Sequence, residues 1–411
     1  MAVEALQCKE CGNSYPLEAR YVCDNCFGPL DVRYDMSGLE PDNLRRRIQA
    51  GPDNVWRYAD FLPFERPPRT VLAAGVTPLV RADRLAARLG VREVWVKNDA
   101  ANPTHSFKDR VVTVALAKAR ELGYGVVACA STGNLANAVA AHAAAAGLES
   151  YVFIPSDLEE QKVLATGVYG TKLVAVQGTY DDVNRLCTEL SAERDWAFVN
   201  VNVRPYYSEG SKTLAYEIAE QLGFGLPDRV VAPIASGSLF AKIGRGFDEW
   251  REVGLVEGET PIMCGAQAEG CAPVAQAFAD GKNVCRPVRF PRTIAKSLAI
   301  GDPADGPYAL DLARRTGGEI TSVSDDEIRQ GIRLLAETAG VFTETAGGVT
   351  TAGLVKLAEA DLLDPGERVV LVITGEGLKT LDAVRGTFEY EQIEPTVEAF
   401  SEVFGAAPVP A

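Results

Sequence analysis

Histidine is nearly missing from this chain of 411 residues, which has only His105 and His142. That scarcity removes most metal catalysis built on imidazole ligands and leaves little material for a Ser-His-Asp triad. Positive charge is also in deficit, with a formal net charge of −15. An acidic surface repels phosphodiester backbones and anionic lipid heads, so nucleic acid and membranes are excluded as default partners. A small anionic substrate stays open, because a few local cations and backbone amides override the global sign. Long apolar runs are absent. Val369-Val370-Leu371-Val372-Ile373 is typical of the longest, far short of the ~20 residues that span a bilayer. The N-terminus has no basic stretch followed by an apolar one, which points to a cytoplasmic protein. No segment reads Gly-x-x-x-x-Gly-Lys-Ser/Thr or a full Gly-x-Gly-x-x-Gly, which disfavours nucleoside triphosphates and dinucleotides.

What is present begins with cysteine. Cys8-x2-Cys11 and Cys23-x2-Cys26 stand eleven residues apart, the spacing of a four-thiolate zinc ribbon. Four sulfurs close the coordination sphere, so the expected Zn2+ is structural. The spacing names a metal but no task for the module. The other five cysteines (Cys129, Cys187, Cys264, Cys271, Cys285) are scattered, and their odd number fits buried reduced thiols. Residues 36–74 are rich in Pro, Arg and aromatics, among them Trp56, Tyr58, Phe61 and Phe64. They read as an irregular arm packed over the main body, since such rings seek burial.

From Gly75 onward short apolar runs alternate with helical patterns. Strands are predicted at Glu93–Lys97, Gly125–Ala130, Ser150–Ile154, Lys172–Val176, Phe198–Asn200, Arg229–Ile234, Pro261–Ala266 and Arg368–Ile373. Helices are predicted at Phe107–Leu122, Leu135–Ala146, Thr213–Leu222 and Asp325–Ala339. The alternation predicts an α/β fold with doubly wound parallel sheets. Residues 406–411 are expected to fray.

Three strand ends open through small residues, at Ser131-Thr132-Gly133-Asn134, Ala235-Ser236-Gly237-Ser238 and Thr374-Gly375-Glu376-Gly377. Ligands of open parallel sheets sit at such ends, where amides close on a phosphate at a helix N-terminus. A further segment reads Asn102-Pro103-Thr104-His105-Ser106-Phe107-Lys108-Asp109-Arg110. Ser106 and Asp109 have capping-box spacing, so a helix is expected to start there. Lys108 then falls in the first turn, where the helix dipole disfavours a cation. Either it faces solvent or its amine is tied up as an imine; the spacing leaves both open. With three small-residue turns beside it, the lysine describes a site for a phosphorylated cofactor. His142, in an alanine-rich stretch, reads as an ordinary helix residue. His105 reads equally as a ligand or as a helix flank bonded to backbone.

The Asn102–Arg110 segment resembles the pyridoxal-phosphate lysine motif of threonine synthases, in the tryptophan-synthase-β-like (fold type II) family. Ser131–Asn134, Glu209-Gly210-Ser211-Lys212-Thr213 and Thr374-Gly375-x-Gly377-Leu378-Lys379 match the same family in order, over about residues 70–390. The resemblance implies that pyridoxal 5'-phosphate forms a Schiff base with Lys108 beside Phe107. It implies that Asn134 bonds the phenolic oxygen, that Thr374 stands at the pyridine nitrogen, and that Ala235, Ser236, Gly237, Ser238 and Leu239 cradle the phosphate. It further implies a lyase that converts O-phospho-L-homoserine and water to L-threonine and phosphate, with Ser131, Thr132 and Lys212 on the substrate.

The chain departs from the family at four places. His105 and Val111 stand where glycine is usual, Tyr207 takes the place of a frequent arginine, and the phosphate loop is shortened. Arg204 and His105 are the candidates to restore the lost positive charge. Rival readings are β-replacement on O-phosphoserine (cysteate or cysteine synthase type), a threonine dehydratase, and a zinc-ribbon regulatory protein on an inactive scaffold. The expected organisation is a zinc ribbon (1–35), an arm (36–74), a large domain (75–107 with 206–400) and a small mobile domain (108–205), in a homodimer.

Overall fold

The computed structural model describes residues 2–69, 72–178 and 180–405; the fraying expected at 406–411 lies outside them. Around the cysteines, β1 (Ala2–Cys8), β2 (Ser14–Tyr15) and β3 (Leu30–Asp35) pair antiparallel in the order β2-β1-β3. The chain then lays down β4 (Leu79–Arg81) and β5 (Glu93–Asn98). Next come β6 (Val126–Ala130), β7 (Glu149–Pro155), β8 (Lys172–Val176) and β9 (Ala197–Phe198), a parallel sheet ordered β8-β7-β6-β9. Finally β10 (Arg229–Pro233), β11 (Ile262–Ala268), β12 (Ile320–Val323) and β13 (Arg368–Ile373) join β4 and β5 in the order β12-β11-β10-β13-β5-β4.

Both larger sheets are covered on two faces, as continuous apolar strands require. Val230, Ala232, Val370 and Val372 enter one apolar cluster, whereas Val231, Val369, Leu371 and Ile373 enter another. In the smaller sheet Val127 and Cys129 face one cluster, and Ala128 and Ala130 the other. The expectation of purely parallel sheets needs one correction. The six-stranded sheet is mixed, because β4 runs antiparallel to β5 at its edge. A three-residue strand has too short a pattern to be read from sequence, and β12, also missed, has four. The predicted strands elsewhere lie within two residues of the observed ends, and Lys172–Val176 and Arg368–Ile373 coincide.

The arm buries its aromatics but is more regular than expected. It forms a helix at Pro41–Gln49 and a 3-10 helix at Val55–Phe61. Tyr58 and Phe61 pack on Tyr216 and Trp250, and the last two stack 5.3 Å apart. Cys129, Cys187, Cys264 and Cys271 are buried, Cys285 is half-buried, and all nine thiols are free. No helix among the described residues is long and apolar enough to cross a membrane.

Two features place the site. Strands β10, β13 and β5 are parallel neighbours in that order, with Ile373 opposite Asn98. Their carboxyl ends therefore deliver Ala235, Thr374 and the 99–107 loop side by side. Behind them, the fully buried Arg110 guanidinium bonds Asp99 and Glu217. Lys97 completes the block at 2.7 Å from Glu217. This tie joins β5, the Lys108–Glu121 helix and the Thr213–Gln221 helix.

Candidate active site

The helix Lys108–Glu121 begins where the sequence places it, but without the expected capping box. Ser106 pairs through its backbone with Gly375, so Phe107 takes the cap position and the buried Ser106 hydroxyl has no partner. The Asp109 carboxylate instead accepts from the Thr104 amide (2.9 Å) and hydroxyl, and meets His142 Nε2 at 2.8 Å. His142 is thus a buried partner of the lysine segment, not an ordinary helix residue. Further backbone bonds run from Phe107 N–H to Thr374 C=O (2.9 Å) and from Glu376 N–H to His105 C=O (3.1 Å). They stitch the lysine loop to the end of β13.

Lys108 Nζ donates to Tyr207 Oη at 2.9 Å and lies 4.6 Å from the centre of the Phe107 ring. Asn134 opens the helix Asn134–Ala146, as small residues after β6 predict. Its amide NH2 donates to Glu344 at 2.9 and 3.1 Å, and its oxygen accepts from Lys379 Nζ at 2.8 Å. Lys379 also reaches the Thr104 carbonyl at 2.6 Å. The Thr374 hydroxyl lies 3.3 Å from Glu344. Burial pushes the Glu344 carboxyl above, and the Lys379 amine below, their ordinary values. Phe107, Lys108, Asn134 and Thr374 are therefore brought together, along with Tyr207, Lys379 and Glu344, to which the sequence assigned no role. Lys379 was visible inside a matched motif and Tyr207 as a departure from one; Glu344, a lone acid before a small-residue helix, gave no signal.

The Ala235–Leu239 loop leads into the 15-residue helix Ser238–Glu252, whose first amides have no partners within the helix. Gly237 has φ +96°, and a Cβ there would stand 2.5 Å from the Asp305 carbonyl oxygen. Leu239 packs against the cluster that contains Phe107 and Tyr207. Ser131 is buried at the end of β6, with its hydroxyl accepting from Gly133 N–H at 3.4 Å, and Thr132 beside it is half-buried. Arg204 is ion-paired with Asp305, and both line a small cavity of about 30 Å³ with Ser238 and Lys242. His105 holds φ +60° with its side chain exposed, a left-handed conformation that suits the glycine usual there. Lys212 stands apart. It is fully buried, paired with Glu209 (2.6 Å) and Glu249 (3.0 Å), and so engaged in a structural tie.

At the N-terminal module the four sulfurs of Cys8, Cys11, Cys23 and Cys26 lie within 4.8 Å of one another. Cys8 and Cys26 are 3.4 Å apart and Cys11 and Cys23 3.5 Å. Hydrogen bonds, first from the Tyr15 hydroxyl, bring the Cys23 thiol down to about 6. The module docks onto the rest of the chain through Tyr34 and Glu209, Asp31 and Lys242, and the Tyr206 hydroxyl on the Glu18 carbonyl at 2.9 Å.

The residues around Lys108 fit a pyridoxal phosphate. They offer an amine without a carboxylate partner among the described residues and an unpartnered buried hydroxyl at Ser106. Two neutral polar groups converge at Asn134 and Thr374, and a helix N-terminus is entered through an obligatory glycine. Residues 71–375 match the family of pyridoxal-phosphate dependent enzymes. The threonine synthase of Methanocaldococcus jannaschii is 38% identical over 392 residues, 94% of this chain and 96% of the relative. The chain belongs to the threonine synthase family of pyridoxal-phosphate-dependent enzymes. A second threonine synthase, from Methanosarcina acetivorans, is 37% identical over 406 residues, 98% of this chain and 99% of the relative. A threonine synthase relative so nearly equal in length leaves little room for an unmatched N-terminal module. The solved serine racemase of maize overlays with a TM-score of 0.64 at 19% identity, covering 82% of this chain and 93% of that one. It shares the fold.

Proposed function

We propose that the chain converts O-phospho-L-homoserine and water to L-threonine and phosphate, the reaction its threonine synthase relatives are named for. The observation that carries the proposal is the convergence of Lys108 and Thr374, after β5 and β13 of one sheet, with Asn134, after β6 of the other, in a chain matched by such relatives almost end to end. Lys108 would hold the cofactor through its ε-amine, with Phe107 beside it. Asn134 would bond its phenolic oxygen, Thr374 its ring nitrogen, and the amides of Ala235 to Leu239 its phosphate. When bound, pyridoxal phosphate supplies an electron sink for the charge left at the substrate Cα. The released Lys108 amine would carry protons at Cα and Cβ. Ser131 and Thr132, at the carboxyl end of β6, would meet the substrate phosphate. Arg204, three residues before Tyr207, and His105, itself one of the altered positions, are both proposed to act on that phosphate.

The cysteine cluster supports a structural zinc. A tetrahedron with Zn–S bonds of about 2.3 Å has sulfur–sulfur edges of about 3.8 Å, close to the observed spacings. The separate four-stranded sheet supports a smaller mobile body within residues 108–205, whose first helix, Lys108–Glu121, is held by Arg110 to the larger body of residues 75–107 and 206–400. A homodimer follows the family resemblance. The test is product analysis after incubation with O-phospho-L-homoserine. Threonine and phosphate in equal amounts are expected, together with a yellow colour that borohydride bleaches and Lys108→Ala lacks. Phosphate without threonine, or turnover of O-phosphoserine or threonine instead, would overturn it.

A further inference from the structure

Among the described residues the Lys108 amine has one hydrogen-bond partner, the Tyr207 hydroxyl at 2.9 Å, and the rings of Phe107 and Tyr207 flank it at 4.6 and 5.6 Å. Tyr207 lies on the short helix Arg204–Glu209, and that helix is held firmly. Tyr206 is bonded to the Glu18 carbonyl, and Glu209 is gripped by Tyr34, Lys212 and Lys242. Tyr207 also stands where an arginine is frequent in the motif this segment resembles. An arginine there would bring charge to a phosphate but could not accept a hydrogen bond. A phenol accepts from an ammonium and donates to a neutral amine.

We propose that Tyr207 is a positioning residue for Lys108: its hydroxyl is the seat that keeps the lysine amine aimed at the substrate carbons whenever that amine is free. The proposal rests on the role given to Lys108 above. The phenol serves the amine in both protonation states, so Lys108 takes a proton from carbon and returns it to carbon without leaving its seat. No outside donor is needed, since the proton removed resides on the lysine nitrogen until it is given back. A four-carbon side chain without such a seat swings, and a misplacement of about 1 Å costs on the order of 100-fold in rate.

The experiment compares the loaded wild-type enzyme with Tyr207→Phe, which keeps the ring and removes the oxygen. The variant is expected to keep its colour, its borohydride reduction on Lys108 and a KM within about threefold, while kcat falls about 10- to 100-fold. Exchange of the Cα hydrogen of bound L-threonine with heavy water, followed by NMR, should slow in the same proportion. Tyr207→Arg should not restore kcat, because arginine accepts no hydrogen bond. Unchanged kcat and exchange in Tyr207→Phe overturn the proposal. So does a raised KM at unchanged kcat, which assigns Tyr207 to the substrate phosphate, and so does loss of colour with a lowered unfolding midpoint, which makes it structural. A wild-type enzyme that exchanges the Cα hydrogen but makes no threonine instead overturns the reaction proposed above and leaves the Tyr207 comparison readable.

Discussion

Gly210 lies against the backbone of Val111: a Cβ at Gly210 would stand 2.6 Å from the Val111 Cα and 2.6 Å from the Arg110 carbonyl oxygen. That contact brings the lysine helix and the Arg204–Lys212 segment together main chain to main chain. Gly210→Ala must part them, at a cost of about 1–3 kcal/mol. Denaturant unfolding should show that loss. Because the shift also draws Tyr207 from Lys108, kcat should drop about tenfold or more under conditions where the variant is still folded. A variant with wild-type stability and rate would show that the two segments yield easily.

Glu217 titrates far from its ordinary range. Burial alone would raise its carboxyl, but Arg110 and Lys97 outweigh that and hold it at about 2. A depressed carboxylate stabilises the fold above its unfolded value near 4.5, and that contribution, on the order of 3 kcal/mol, is lost as pH falls through about 2. Glu217→Gln should therefore cost about 3–5 kcal/mol at pH 7, because it removes the buried carboxylate that Lys97 pairs with and leaves Arg110 with Asp99 alone. It should also flatten the acid limb of the stability curve. An acid limb identical to wild type would contradict this.

Glu344 behaves in the opposite sense. Burial raises its carboxyl, so the protonated form is favoured in the fold. The stability it contributes is fully present below the unfolded value near 4.5 and is lost as pH rises through the folded value. The stability of Glu344→Gln relative to wild type should therefore climb as pH rises above about 4.5. Urea midpoints across that range measure it, and a pH-independent difference would refute it.

Removal of the proposed zinc should be felt at the active site. The cysteine module holds Glu209 and Lys242 through Tyr34 and Asp31, next to the helix that carries Tyr207. Chelation, or Cys8→Ser, should remove one zinc per chain in elemental analysis. It should also lower stability by about 4 kcal/mol relative to protein kept at ~1,000-fold excess of metal over its Kd, with activity falling in parallel. A stable, active, metal-free chain would argue for a module without a metal.

The legible part of the fold followed from local pattern. Val369 to Ile373 is apolar on both sides, which only a strand covered twice can satisfy, and it was found at its observed ends. The helix Asp325–Ala339 lies where its amphipathic pattern placed it, and a capping box of Ser324 and Glu327, not read from the sequence, opens it. A capping box fails at Ser106 and Asp109, because Gly375 takes the Ser106 backbone while Thr104 and His142 take the Asp109 carboxylate. Gly375 and His142 stand 269 and 33 positions from the residues they take, beyond the reach of any local rule.

By itself the sequence determined which chemistry was available: a lysine at a helix start, small residues after three strands, four thiolates at metal spacing and too few histidines for the common alternatives. Motif order sufficed for this, because each of those groups is specified by neighbours within a few residues. Only the tertiary structure decided which groups meet. It put Tyr207 on the Lys108 amine, Glu344 between Asn134 and Thr374, and Lys212 into a buried ion pair with Glu209 and Glu249. Contacts between distant segments are set by how sheets and helices pack, and a side chain's partner is whatever that packing leaves within about 3 Å.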